Sequence, residues 1–136
     1  MIRYRTRDIT RLVDEPCTCG RTHRRFNCIT GRSDDMLIIR GVNVYPSEIE
    51  AQLVGLPNIA PYYQLVVSRE GTMDELVIEV EAAPETARES YPEIAAAVGS
   101  RIKTMVGVSC SVEIKAPGEV PRSEGKAVRV RDLRPR

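Results

Sequence analysis

Apolar and polar positions alternate most strictly over residues 74–82, "DELVIEVEA", where Leu76, Ile78 and Val80 stand against Val77, Glu79 and Glu81. A period of two puts the two sets on opposite sides of a pleated strand. Residues 62–69, "YYQLVVSR", read the same way. The "EGTMD" stretch between them predicts an antiparallel hairpin, with Pro84 closing its second strand. The period then changes. Tyr91, Ile94, Ala95, Val98, Ile102 and Met105 follow helical spacing, which predicts a helix within 86–106 whose firm part starts at Pro92 or just before. Gly107 ends it. Residues 109–115, "SCSVEIK", alternate again and set Cys110, Val112 and Ile114 on one side, so Cys110 reads as a core residue.

Towards the N-terminus the pattern is weaker. "DDMLIIRG" (34–41) predicts a short apolar strand. Ser47 with Glu50 three residues later predicts a helix start; Ile49 and Leu53 share one side, and Gly55 and Pro57 stop the helix. "DITRLVD" (8–14) and "RFNCITG" (25–31) predict two strands joined around Pro16–Gly20. That hairpin has too few apolar residues for a core of its own and reads as an arm. "APGEVPRSEGK" (116–126) is a loop, and "AVRVRD" (127–132) a final short strand. From about residue 36 the order is β-α-β-β-α-β. The fold class expected is α+β: a small, mostly antiparallel sheet with two helices packed on it, preceded by a short basic β-hairpin arm. The composition changes near residue 34, the expected domain boundary.

With 136 residues the chain is long enough for one domain with a core. No run is long enough to span a membrane, and nothing resembles a signal peptide, so a cytoplasmic protein is expected. The net charge of +1 conceals a split. Residues 1–34 carry eight arginines against four acids, residues 121–136 five arginines and Lys126 against two acids, and residues 35–120 six bases against thirteen acids. Basic ends around an acidic body suit a polyanion, whether phosphates or nucleic acid, and equally suit ordinary surface charge. Cys17, Cys19, His23 and Cys28 follow a C-x-C-x3-H-x4-C order. These are residue types that zinc favours, but C-x-C is tighter than the usual C-x2-C, and a reduced hairpin tip fits as well. Zinc stays open and no metal ligand is assigned.

Three stretches form an ordered set: "YRTRD" (4–8), "GRSDDMLIIRGVNVYPSEIE" (31–50) and "PRSEGK" (121–126). Together they resemble the C-terminal part of the adenylate-forming enzymes, the acyl-CoA ligase superfamily, and most closely its phenylacetate branch. The resemblance implies a carboxylic acid activated by ATP with Mg2+, followed by rotation of a small C-terminal domain and attack by the thiol of CoA. It places Lys126 as the catalytic lysine between the substrate carboxylate and the α-phosphate. A flexible ammonium suits that position, because charge grows on the oxygens it meets. It places Asp8 and Arg32 at the ribose and phosphate of ATP or AMP, where a carboxylate can accept from a diol. The more common family form has glycine before that aspartate, where Arg7 stands here. Asp34 matches the hinge between large and small domains. Gly41, Val42, Asn43 and Val44 match the loop that lines the CoA channel, where a missing side chain at Gly41 would admit a thiol arm.

A full ligase of this type runs to several hundred residues, and its phosphate loop and acyl pocket are not found here. The expectation is therefore a fragment, inactive alone: residues 1–33 as the tail of the large N-terminal adenylation domain and 34–136 as the small mobile domain. Its expected partners are ATP, an aryl carboxylic acid, CoA and the missing N-terminal adenylation domain, with no membrane. An adenylating enzyme with a non-CoA acceptor stays open. So does a free-standing small-ligand or RNA-binding module, though nucleic acid is disfavoured because no aromatic-rich strand offers base stacking.

Overall fold

A computed structural model of the chain describes residues 3–122 and 128–135. Two compact units divide it, residues 1–36 and 37–136.

The first unit is an irregular ladder. β1 (Asp8–Ile9) pairs antiparallel with β4 (Gly31–Arg32), and β2 (Leu12–Val13) with β3 (Arg25–Phe26). The register changes between the two pairs. Leu12 faces Phe26 but Ile9 faces Gly31, so the second strand holds extra residues around Cys28. Backbone bonds Asn27 N–H to Arg11 O and Thr30 N–H to Ile9 O, both 2.9 Å, carry the ladder across this bulge. The expected continuous strands over 8–14 and 25–31 are thus broken in the middle. Leu12, Phe26 and Ile29 are exposed, in keeping with an arm that has no core.

The second unit is built on a four-stranded sheet of order β10-β7-β8-β9. β7 (Ile59–Glu70) and β8 (Met73–Ala82) are antiparallel, turned over two residues with Gly71 at φ +63°. β9 (Ser111–Lys115) runs parallel to β8, because the crossover helix α2 (Tyr91–Val106) intervenes. β10 (Val130–Asp132) runs parallel to β7. The α+β class holds, with antiparallel small sheets and a mixed central one. The 34–41 strand shortens to β5 (Leu37–Ile39) and pairs only with β6 (Val42–Val44), through a turn in which Arg40 (φ +50°) and Gly41 (φ +79°) are both left-handed. That is the conformation of a two-residue hairpin turn matched to strand twist.

One row of side chains crosses the whole sheet. Val130 faces Leu65, Leu65 faces Ile78, and Ile78 faces Val112. Leu65 and Ile78 are fully buried, and Tyr63–Val80–Ile114 forms the next row. Ile49 and Leu53 of α1 (Pro46–Leu53), Val98 and Ile102 of α2, and Ile39 and Val44 of the small hairpin complete the core. Burying each such side chain stabilises the fold by about 1.5–3 kcal/mol.

Helix α1 begins one residue before Ser47. Its cap is Tyr45, whose backbone N–H donates to Glu48 Oε2 at 3.4 Å, with Pro46 in the first turn. The glutamate that closes the cap is Glu48, not Glu50. Before α2, residues 88–90 form a 3-10 turn, so the regular helix starts at Tyr91, beside the expected Pro92. Gly107 caps its end at φ +82°. Cys110 is half-buried against the core just before β9. Among the described residues no helix is long and apolar enough to cross a membrane.

Candidate functional site

The first unit gathers three of the expected site residues. Antiparallel pairing puts Asp8 directly opposite Arg32. Arg32 turns its guanidinium onto Asp34: Nε donates to Oδ1 at 3.0 Å and Nη2 to Oδ2 at 2.9 Å. This fork-on-carboxylate arrangement is the strong form of an ion pair. The Arg32 hydrogen bonds hold the Asp34 carboxyl below its ordinary pKa, and Arg7, with Nη1 3.8 Å from Oδ2, adds to this. Asp34 in turn raises Arg32, with smaller contributions from Asp35 and Asp8. Arg7, where glycine is the commoner form, has φ +65°, a conformation that glycine adopts freely. Its carbonyl accepts from Ser33 N–H at 2.8 Å, so the strained residue ties the two strands beside Asp8 and Asp34.

Gly41, Val42, Asn43 and Val44 lie in the second unit, as the turn and second strand of the β5–β6 hairpin. A Cβ at Gly41 would meet nothing within 4 Å, so its conformation, not crowding within the chain, demands glycine. Arg40 fastens the hairpin, donating from Nε to Asp74 O at 2.8 Å and from Nη2 to Ser109 O at 3.2 Å. Lys126 falls at 123–127, outside the described residues.

The two ends of that segment carry a cluster the sequence did not announce. Arg122 lies over the Tyr62 ring, 3.4 Å from its centroid, and donates from Nη2 to Glu81 Oε1 at 2.8 Å. Glu81 is 3% exposed, and among the described residues its Oε2 has no hydrogen-bond partner. Burial pushes its pKa up. The Arg122 bond and the amides of Gly118 and Val120 outweigh burial, and the net position is below the ordinary glutamate value. On the other side, Arg129 lies over Tyr63 at 4.8 Å and donates to Tyr63 Oη at 2.9 Å and to Glu50 Oε1. Strand alternation had put Glu81 with the polar set. Its burial comes from residues 116–122 passing over it, which no periodicity records. Only the arginine inside "PRSEGK" was there as a signal.

The cysteine tip gives less. Cys17 and Cys19 sulfurs are 3.0 Å apart, and the Cys17 bond lowers the pKa of exposed Cys19. His23 and Cys28 do not join them: among the described residues no group of three or more His, Cys, Asp or Glu side chains is placed to hold a metal ion.

Comparison with known proteins agrees with the motif set. Residues 41–134 match the family model described as the AMP-binding enzyme C-terminal domain. The chain is 47% identical over 150 residues to a phenylacetate-coenzyme A ligase of Thermus thermophilus, covering 98% of this chain and 34% of that protein. It is 50% identical over 137 residues to a phenylacetate-coenzyme A ligase of Escherichia coli, covering 98% and 31%. The chain thus spans about a third of the length of these curated relatives. Among solved structures, 2-hydroxyisobutyryl-CoA ligase in the postadenylation state, in complex with 2-HIB-AMP, is similar at TM-score 0.84 and 37% identity, over 97% of this chain and 29% of that one. A domain of a phenylacetate-coenzyme A ligase from Bacteroides vulgatus is similar at TM-score 0.69 and 29% identity, over 75% of this chain and 95% of that one. The chain belongs to the family of AMP-binding enzyme C-terminal domains.

Proposed function

We propose that this chain is the C-terminal part of an ATP-dependent acid–CoA ligase acting on an aryl acid such as phenylacetate. In this reading, residues 1–33 are the tail of a large adenylation domain and 34–136 the small mobile domain. Lys126 serves the first half-reaction, in which the carboxylate attacks the α-phosphorus of ATP and pyrophosphate leaves. Its ammonium offsets charge on the oxygens at that centre. Asp8 and Arg32 meet the nucleotide. Asp34 is the hinge, and Gly41–Val44 line the path of the CoA thiol in the second half-reaction, where thiolate replaces AMP on the acyl carbon. Mg2+ comes with ATP; among the described residues no cluster is placed to hold it.

The observation that supports this most is the register of Asp8 opposite Arg32 with Asp34 in the same fork. Strand pairing brings Asp8 of the first motif beside Arg32 and Asp34 of the second. The Arg32–Asp34 bond gives the hinge a concrete part. A nucleotide phosphate that recruits Arg32 competes with Asp34, so nucleotide occupancy and the hinge residue are coupled.

The test uses the full-length ligase with phenylacetate. Lys126→Ala is expected to abolish acid-dependent ATP–pyrophosphate exchange and to spare thioester formation from supplied phenylacetyl-adenylate. Survival of both half-reactions would overturn the assignment.

A further inference from the structure

Asp74, the second residue of β8, gathers three arginines. Its carboxylate accepts from Arg69 Nε at 2.7 Å and from Arg134 Nη1 at 3.2 Å, and its backbone carbonyl from Arg40 Nε at 2.8 Å. The Asp74 and Arg134 side chains are largely covered, 12% and 18% exposed. The Arg69 bond, with Arg134 adding to it, holds the Asp74 carboxyl below the ordinary aspartate pKa against the opposing effect of burial. Arg134 is itself oriented by Asp132, to whose two oxygens Nε and Nη2 donate at 3.0 and 2.7 Å. Two parallel bonds of this kind fix direction as well as position.

Two of the three arginines lead to the β5–β6 hairpin. Arg40 is the first residue of its turn, and Arg134 Nη1 also donates to Ile38 O of β5 at 2.9 Å. A two-residue turn makes its closing pair, Ile39 and Val42, the hydrogen-bonded one, so the next pair, Ile38 and Asn43, turns its backbone groups outward. The Ile38 carbonyl is thus left over from the hairpin's own ladder, and Arg134 takes it up. Among the described residues the hairpin is a sheet of its own, sharing no ladder with the four-stranded one. Buried Ile39 and Val44 anchor it to the core. Apolar burial is non-directional and fixes depth better than angle. The arginine bonds supply the angle, from the turn through Arg40 and from β5 through Arg134, and both end on Asp74.

We infer that Asp74 and Arg134 are positioning residues for the thioester half-reaction: with Arg40 they lock the β5–β6 hairpin at a fixed angle to β8, and so hold Gly41–Val44 as the wall along which the CoA thiol approaches. This role rests on the reading of Gly41–Val44 as lining that path. Neither side chain meets the reacting atoms; each acts through the hairpin.

The experiment uses the full-length ligase with phenylacetate, ATP and CoA. Arg134→Gln removes the charge and the fork that reaches Asp74 and Ile38. Arg134→Lys keeps the charge and loses the fork. Asp74→Asn keeps the shape and the backbone carbonyl and removes the charge. A misplacement of about 1 Å costs on the order of a hundredfold in a chemical step. Arg134→Gln is expected to lower kcat/KM for CoA, measured from supplied phenylacetyl-adenylate, by about tenfold to a hundredfold. Acid-dependent ATP–pyrophosphate exchange stays unchanged. Asp74→Asn follows in the same direction, and Arg134→Lys recovers part of the loss.

The split between half-reactions is the decisive readout, because a residue that only stabilises the fold lowers both by the same factor. Equal loss in both overturns the positioning role. Gly41→Asn reads the CoA path independently. If Gly41→Asn slows thioester formation and Arg134→Gln does not, the hairpin needs no such lock and the positioning role is wrong. If Gly41→Asn leaves thioester formation intact, the error lies in the reading of Gly41–Val44 beneath it, and the inference falls with that reading. Should Arg134→Gln fold poorly, Asp74→Asn against Gly41→Asn gives the same comparison.

Discussion

Arg32 and Asp34 are joined by two parallel hydrogen bonds, 3.0 and 2.9 Å long, across a single intervening residue. The Arg32 contacts depress the Asp34 pKa, so the sign of the pH effect is fixed. A carboxylate whose folded-state pKa is lowered contributes stability above its unfolded pKa and loses it as pH falls through the folded value. Carboxyl-carbon NMR of Asp34 is expected to give a midpoint below the ordinary aspartate value. Arg32→Gln is expected to move it back up, and AMP binding in the full-length ligase to move it the same way if nucleotide draws Arg32 off. A wild-type midpoint at or above the ordinary value would contradict the fork.

Arg7 makes a second, separable prediction. An L-residue in the left-handed region costs roughly 1–2 kcal/mol, which glycine largely avoids. Arg7→Gly is expected to stabilise the ladder by about 1 kcal/mol, less a few tenths for the weak 3.8 Å approach to Asp34. Amide exchange at Ser33, which donates to Arg7 O, is the local readout. Faster exchange in the variant would show that the arginine side chain, not the backbone strain, dominates.

These two residues also show what the sequence could and could not reveal. "GRSDD" and "YRTRD" picked out Asp8, Arg32 and Asp34 through the resemblance alone; no periodicity links residues 8 and 32, and only strand pairing does. Leu76, Ile78 and Val80 were legible from alternation, because a sheet with one buried side writes itself as a period of two. Ile49 and Leu53 were legible for the corresponding helical reason. The cap of α1 was misplaced because Ser47-x-x-Glu50 and Tyr45-x-x-Glu48 overlap, and proline at the first turn favours the earlier start. Glu50 was then free for Arg129, a partner 79 residues away. Parallel pairing of β8 with β9 follows from the helix between them, but the place of β10 beside β7 depends on long-range packing with no local signature.

Tyr63 offers an alkaline test. Burial pushes its phenol up to about 12 from the ordinary 10.0. The folded-state pKa lies above the unfolded one, so its contribution is whole below pH about 10 and is lost as pH climbs through about 12. In an ultraviolet titration Tyr63→Phe is expected to remove the latest-ionising of the five tyrosines. The loss of an earlier step instead would place Tyr63 nearer solvent than its 7% exposure implies.

The packed row across the sheet sets a stability prediction. Ile78 is fully buried between Leu65 and Val112 in register, so truncation leaves a cavity between the flanking strands. Ile78→Ala is expected to cost about 2–5 kcal/mol. Leu12→Ala, at an exposed position of the arm, should stay within about 0.5 kcal/mol. Urea denaturation of the 136-residue chain compares the two.

Gly41 separates two reasons for one glycine. Its φ of +79° asks for a residue that tolerates the left-handed region, and nothing in the chain crowds a Cβ there. Asparagine visits that region more readily than alanine does. On stability alone, Gly41→Ala should therefore lose about 1–2 kcal/mol and Gly41→Asn less, read by chemical denaturation. A thiol channel past Gly41 imposes the opposite order, because asparagine is the larger side chain. Thioester formation by the full-length ligase should then fall further for Gly41→Asn than for Gly41→Ala. If both measurements rank the variants alike, with asparagine the milder, the glycine serves only the hairpin turn. Gly41–Val44 would then lose their place along the CoA path.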